Sequence, residues 1–283
     1  MGEAEQRSGV DLEGGDQVRT SEEGFAPVNG CRLYYEIRGE GPAVTLIHAG
    51  LWDRRIWDDQ MEPFAERHTA IRLDLPGFGR SEFPDRPFST RGVIADLLGF
   101  LQLERTSVVG CSIGGQVALD LTLDRPDLVE RLVLVASGMS GDDTPDDEAT
   151  ILVLDQAEEA FKVGDLERAV DLQLEVWTPL RTDPEVDRRI RDIAMDNQRV
   201  DTLDWSLAQR LDPPAAGRLG EVRAPTLVIL GERDVPPMAV IGDKLAAGIA
   251  AATKVVMPDV DHLPNMRDPV AFNRIVLGFL DQA

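Results

Sequence analysis

Val108-Val109-Gly110-Cys111-Ser112-Ile113-Gly114-Gly115 decides the fold: a β-branched run ends in G-x-S-x-G and passes directly into helix-compatible sequence at Ile113. A serine at so sharp a strand-to-helix turn is held in strained backbone geometry. Glycines two residues before and after it are needed because a Cβ would clash as neighbouring segments close in. Ser112 is therefore expected to project above the C-terminal edge of a sheet, with the amides and positive dipole end of the next helix aimed at whatever bonds to it. G-x-S-x-G alone also arises in glycine-rich turns, so its weight comes from the strand before and the helix after.

The surrounding chain supplies the rest of such a sheet. Residues 25–28 and 31–38 read as short strands across Asn29-Gly30, a pair that favours a tight hairpin. Strand-like and helix-like segments then alternate: 43–48, 57–66, 70–75, 91–103, 107–111, 113–123 and the buried strand 131–136. Alternation of this kind implies a parallel sheet with crossover helices. It stops near 141 and resumes with a strand at 225–230, a helix from about 237, a strand at 254–257 and an amphipathic helix at 269–280. Between them, 146–164, 166–177 and 184–200 look helical and acidic, with no strand signal. The expected organisation is a disordered acidic tail at 1–24, one core formed by 25–140 and 218–283, and an inserted helical cap at 141–217.

Serine needs a base within hydrogen-bond reach, and the histidines are His48, His68 and His262. His262 follows the last core strand and falls on a loop at the edge where open α/β sheets bind ligands. His48 reads as a structural tie for its own loop, and His68 as a solvated residue at a helix end. The carboxylate that fixes the base's tautomer is expected at Asp234, which follows a buried strand and completes the chain order Ser112, Asp234, His262. Asp261 competes, but a residue next to the histidine has difficulty folding onto its ring nitrogen; Glu232 and Asp259 are weaker competitors. Oxyanion donors are expected from Ile113 and from Gly50 or Leu51.

At this point the residues resemble the α/β-hydrolase superfamily, through the HAG segment at His48, DLPGFGRS from Asp74, GCSIGG around Ser112, GERD ending at Asp234 and DHLPN around His262. Within it the chain is similar to capped esterases and to enol-lactonases of the 3-oxoadipate type, with alanine at Ala49 where H-G-x is commoner. The resemblance covers nearly all of the chain beyond the tail. It implies a mostly parallel eight-stranded sheet flanked by helices, with the insertion as a lid. Serine at the nucleophile position argues against dehalogenases and epoxide hydrolases, whose covalent step needs a carboxylate there. Pocket walls are expected at Trp52, Trp177, Trp205, Met238 and Leu263. Cations near the motifs are confined to Arg54, Arg55 and Arg233.

Composition narrows the function further. The 283 residues carry 51 Asp and Glu against 29 Lys and Arg, a formal charge of −22 that repels nucleic acids and anionic membranes and mildly favours a neutral substrate. Cys31 and Cys111 are too few for a disulfide framework. Neither a secretory signal nor a membrane-spanning run is visible, so a cytoplasmic location is expected. No metal-ligand spacing or phosphate loop occurs, and no cofactor is expected. The expected partner is a small ester or lactone, cleaved through an acyl-serine. Carbon–carbon hydrolysis, perhydrolysis and acyl transfer use the same groups, and a non-catalytic ligand receptor is the reading from another class. Monomer and homodimer both remain open.

Overall fold

Asn29 and Gly30 both take positive φ, 44° and 82°, which reverses the chain in two residues. The flanking strands, β1 (Ser21–Val28) and β2 (Cys31–Arg38), pair antiparallel from Val28 opposite Cys31 to Ser21 opposite Arg38. The computed structural model describes residues 21–282. Most of the expected disordered tail therefore lies outside the described residues. Its last four positions correct the expectation, because the hairpin register carries Ser21 to Gly24 into β1, paired with Tyr35 to Arg38 of β2.

The remaining elements are β3 (Ala43–Ile47), α1 (Asp58–Ala65), β4 (Thr69–Leu73), α2 (Thr90–Phe100), β5 (Thr106–Cys111), α3 (Ile113–Asp124), β6 (Val129–Val135), α4 (Glu148–Lys162), α5 (Leu166–Trp177), α6 (Pro184–Asp196), β7 (Thr226–Gly231), α7 (Pro236–Gly248), β8 (Ala252–Met257), α8 (Pro264–Arg267) and α9 (Pro269–Leu280). Acids that look like surface charge start many of the helices. Asp147, Asp165, Asp183 and Asp268 accept hydrogen bonds from first-turn amides of α4, α5, α6 and α9, and such a cap is worth about 1 kcal/mol.

The eight strands lie in the order β1-β2-β4-β3-β5-β6-β7-β8, parallel from β4 onward. Alternate residues of β6 face opposite cores: Leu132 and Leu134 pack with α2, α3 and α7, whereas Val133 and Val135 pack with α1 and α9. After β3 the chain winds to one side of the sheet, and after β5 to the other. The loops leaving the C-terminal ends of these two adjacent strands therefore diverge and leave a crevice, the usual ligand site of an open α/β sheet.

Two close backbone approaches shape that crevice. A Cβ on Gly110 would sit 2.2 Å from the carbonyl oxygen of Gly114, and one on Gly114 would sit 2.4 Å from those of Ile47 and His48. On the far side, a Cβ on Gly231 would meet the Asp261 carbonyl oxygen at 2.2 Å. The chain between β6 and β7 carries α4, α5 and α6, and Val170, Leu174, Ile190, Ile193 and Ala194 from α5 and α6 join the core that contains Trp52. Among the described residues, no helix is long and apolar enough to cross a membrane.

Backbone at 2.2 Å cannot yield cheaply, so Gly110→Ala should lower the free energy of unfolding by about 1–3 kcal/mol, as overpacking does. Gly278, in α9, has nothing within 4 Å of where a Cβ would stand, and Gly278→Ala should gain up to about 1 kcal/mol through helix propensity. Urea unfolding of the two variants beside the parent checks both signs.

Candidate active site

Ser112 stands between β5 and α3 with φ 55° and ψ −116°, a region whose occupation by a residue other than glycine costs on the order of 1–3 kcal/mol. Its amide donates to Val135 (2.9 Å), and its carbonyl accepts from Gln116 and Gly138 (both 3.1 Å), so the turn is held by backbone on three sides. Among the described residues, the amides of Gly50, Leu51 and Ile113 meet no acceptor, whereas that of Trp52 donates to Ala49 (3.4 Å). Gly50, Leu51 and Ile113 line the same cavity as Ser112, which leaves these N–H groups available to an incoming oxygen.

Asp234, three residues beyond β7, and His262, after β8, meet across 28 residues of chain. The imidazole Nδ1–H donates to both carboxylate oxygens, at 3.0 and 2.9 Å, with the two side chains only 2% and 4% exposed. A carboxylate can only accept, so the proton belongs on Nδ1 and Nε2 is left with a free lone pair. His262 lines the cavity with Ser112, although no hydrogen bond joins their side chains. Such contacts commonly tighten only when substrate binds.

The competing acids are engaged elsewhere. Asp261 is fully buried and pairs with Arg267 (3.0 Å), whose guanidinium also donates to the Leu180 carbonyl (2.9 Å) and pairs with Asp187 of α6. Asp259 faces Arg233, and Glu232 accepts from the Asp259 amide. His48 accepts from the Leu75 amide at Nε2 and contacts the Ala49 carbonyl at Nδ1, both at 2.8 Å. Burial holds its imidazole below the ordinary histidine pKa, which suits a neutral ring that ties two loops together. His68 corrects the solvated reading: it is 5% exposed and contacts Asp281 at 3.2 Å, because the C-terminal helix end packs over it.

The cavity has a volume of about 300 Å³, and Trp52, Trp177 and Trp205 belong to its walls. The His262 amide donates to the Trp177 carbonyl (3.3 Å) and the two rings lie 4.8 Å apart, so the end of α5 fixes the histidine loop. Met238 and Leu263 are not in these walls, which corrects their expected placement. Met238 packs into the core beneath α7, and Leu263 is turned fully inward against the other core. Sequence reasoning also missed Phe78, Asn197, Gln198, Val200 and Asp201 as wall residues. The last four belong to the 3-10 turn after α6 and its start: the helix expected over 184–200 ends at Asp196, and the changed winding after it resets which way these side chains face.

The inserted segment is clamped to the core beside this cavity. Asn197 donates to Asp53 (3.0 Å) and accepts from the Gly79 amide (2.8 Å), and Trp52 donates to the Ile190 carbonyl (3.0 Å). Arg54 pairs with Glu36 and Asp74, and Arg55 with Asp53 and Asp196. Among the described residues no lysine or arginine lines the cavity, and no group of three or more His, Cys, Asp or Glu is arranged to hold a metal ion.

Relatives of known sequence and structure carry the same architecture. Residues 46–275 match the model of the alpha/beta hydrolase family. An uncharacterized protein of Mycobacterium tuberculosis is 40% identical over 118 residues, a match that spans 34% of that protein and 40% of this chain. Longer matches run to a pimeloyl-[acyl-carrier protein] methyl ester esterase of Pectobacterium atrosepticum, 28% identical over 87% of this chain and 98% of that one. A 2-hydroxy-6-oxo-6-phenylhexa-2,4-dienoate hydrolase of Comamonas testosteroni is 25% identical over 88% and 91%. Among solved structures, the enol-lactonase from Burkholderia xenovorans LB400 superposes with a TM-score of 0.71 at 26% identity, covering 92% of this chain and all of that one.

The Asp53 clamp has a pH signature. Burial opposes its ionisation, but hydrogen bonds from Arg55 and Asn197 overcome this and bring its pKa down to about 2. A folded pKa below the unfolded value, about 3.9, gives stability that is fully present above about pH 4 and disappears as pH falls through about 2. Asp53→Asn should cost about 2 kcal/mol at about pH 7 and flatten the decline between about pH 4 and 2. Urea midpoints measured across that range check the slope.

Proposed function

Since the chain belongs to the alpha/beta hydrolase family, we propose that it hydrolyses a small, largely apolar carboxylic ester or lactone through an acyl-serine intermediate. The observation that carries this reading is a strained Ser112 and a His262 that line one cavity of about 300 Å³, with His262 held by the buried Asp234. That volume lies at the small end of ligand pockets and suits a small acyl group.

In this reading Ser112 Oγ attacks the carbonyl carbon while His262 Nε2 takes its proton, and Asp234 stabilises the imidazolium that forms. The carbonyl oxygen becomes an oxyanion held by the amide of Ile113 and that of Gly50 or Leu51. Collapse expels the alcohol, which takes the proton from His262; for a lactone, the ring opens at the same bond. Water then attacks the acyl carbon as His262 takes its proton, the bond to Ser112 Oγ breaks, and His262 returns the proton to Oγ as the acid leaves. The inserted segment, residues 141–217, serves as a cap whose aromatic wall at Trp177 and Trp205 excludes bulk water from the reacting centre.

Carbon–carbon bond hydrolysis would run on the same groups, and one relative is named for a dienoate, a carboxylate-bearing substrate. An ester or lactone fits better because Arg54, Arg55 and Arg233 are already paired with acids and, among the described residues, no arginine or lysine lines the cavity. The hydrolase class thus comes from the family and the choice of substrate class from the cavity's chemistry.

Stopped-flow release of nitrophenol from p-nitrophenyl esters of increasing acyl length tests the proposal. The parent should show a burst equal to the enzyme concentration, Ser112→Ala should show none, and Asp234→Asn should lower kcat by about 10⁴-fold through the wrong imidazole tautomer. Equal rates in the parent and Ser112→Ala would remove the acyl-serine mechanism.

A further inference from the structure

The chain on either side of His262 is gripped from the inserted segment. The His262 amide donates to the Trp177 carbonyl (3.3 Å), at the end of α5. Asp261, the residue before it, is fully buried and accepts from the amide of Leu180 (3.4 Å), in the link between α5 and α6. The same carboxylate accepts from the amide of Leu263, the residue after His262, also at 3.4 Å. Asp261 therefore ties its own loop together and ties it to the link. On the core side the Asp261 carbonyl lies against β7, where a Cβ on Gly231 would meet it at 2.2 Å.

One guanidinium organises these contacts. Arg267 ends α8, five residues past His262, and its side chain is only 2% exposed. Its Nε donates to both Asp261 carboxylate oxygens, at 3.1 and 3.0 Å, while its terminal nitrogens reach the Leu180 carbonyl (2.9 Å) and Asp187 of α6. Burial opposes the charge, but Asp261 and Asp187 hold the guanidinium pKa above its ordinary value. The planar fork of arginine meets these three acceptors at once, which the point charge of an ammonium cannot do. Replacing a buried ion pair by apolar side chains of similar volume is often neutral for stability, and the attested use of such a pair is to select one arrangement among several. Here the arrangement is that of α5, α6 and the His262 loop relative to one another.

We propose that Arg267 is a positioning residue for the reaction at Ser112. By holding Asp261, the Leu180 carbonyl and Asp187 together, it sets the His262 imidazole where it can take the Ser112 proton, and it makes that placement depend on how α5 and α6 are seated. Arg267 itself does not line the cavity, so it acts through the loop and not on the substrate. Misplacing a reacting group by about 1 Å can cost about a hundredfold in rate. The proposal rests on the proposed function for the reaction it serves, but the placement of the imidazole is readable without turnover.

The burst of nitrophenol from a short p-nitrophenyl ester separates placement from folding, because its amplitude counts competent sites and its rate constant reports the chemistry at each. Asp261→Asn/Arg267→Met replaces the buried pair by neutral side chains. Arg267→Lys keeps the charge without the fork, and Asp187→Ala, at a side chain 19% exposed, cuts only the link to α6. Each variant should keep the parent's amplitude and its half-saturating ester concentration. The rate constant should fall about a hundredfold in the double variant and about tenfold in the other two. The Nδ1 proton that His262 shares with Asp234 gives a second readout, which needs no substrate. In proton NMR it should resonate downfield of the amides in the parent and in Ser112→Ala, be absent from His262→Ala, and broaden in the three bridge variants through faster exchange with water.

A lowered amplitude at the parent's rate constant, or an unchanged rate constant with a sharp Nδ1 resonance, would overturn the proposal and leave Arg267 a role in folding alone. If the double variant or Arg267→Lys fails to fold, Asp187→Ala decides between these results. Should the parent turn over no ester while the resonance still responds to the bridge variants, the placement of His262 stands and the hydrolytic reading fails. A Ser112-dependent burst that the bridge variants leave unchanged gives the reverse.

Discussion

The close approach of backbone to backbone at Gly110, Gly114 and Gly231 is the constraint on which the rest of the molecule depends. At the first two, β5 comes so near α3, and α3 so near the end of β3, that a methyl group on either glycine would overlap a carbonyl oxygen. This proximity sets Ser112 beside the Gly50–Leu51 loop and imposes its positive φ. Gly231 does the same for the opposite wall, since only without a Cβ can the end of β7 lie against the Val260–Asp261 backbone that leads into His262. The Asp234–His262 hydrogen bond follows from that contact.

Around these approaches the inserted segment is bound to the core by polar clamps rather than by packing alone. Asn197 reaches the Asp53 and Gly79 loops, Arg267 joins the His262 loop to α6, and Arg199 donates to the carbonyls of Gly77, Gly79 and Ser81. The Gly77–Ser81 loop carries part of the DLPGFGRS segment, so that motif serves as a seat for the insertion as well as a turn after β4. Val170, Leu174 and Ile190 add apolar burial against Trp52. Cavity shape and insertion position are therefore one property, and Gln198 and Asp201 enter the cavity wall because Asn197 is held where it is.

Electrostatics act in the same direction at two scales. The chain carries a formal charge of −22, which slows the approach of anions from solution. Near the site each candidate cation is already neutralised: Arg54 by Glu36 and Asp74, Arg55 by Asp53 and Asp196, and Arg233 by Asp259. The acids themselves are not idle surface charge, for several cap helices and others clamp loops.

The amino-acid sequence alone determined the order of strands and helices, the hairpin at Asn29-Gly30, the turn at Ser112, and the partnership of Asp234 with His262. Each of these is written in local signals: β-branched runs, helical periodicity, glycines where the backbone must turn, and the position of an acid or histidine just past a strand. Tertiary structure decided what depends on contacts between distant segments. It extended β1 back to Ser21 through pairing with Arg38, buried His68 under the C-terminal helix end, gave Asp261 to Arg267, and turned Met238 and Leu263 into the cores. It also ended α6 at Asp196, short of the helical reading to 200, and brought Gln198 and Asp201 to the cavity from the 3-10 turn that follows. Nothing local fixes which way such a side chain faces, because that is set by the partner which arrives from elsewhere in the chain.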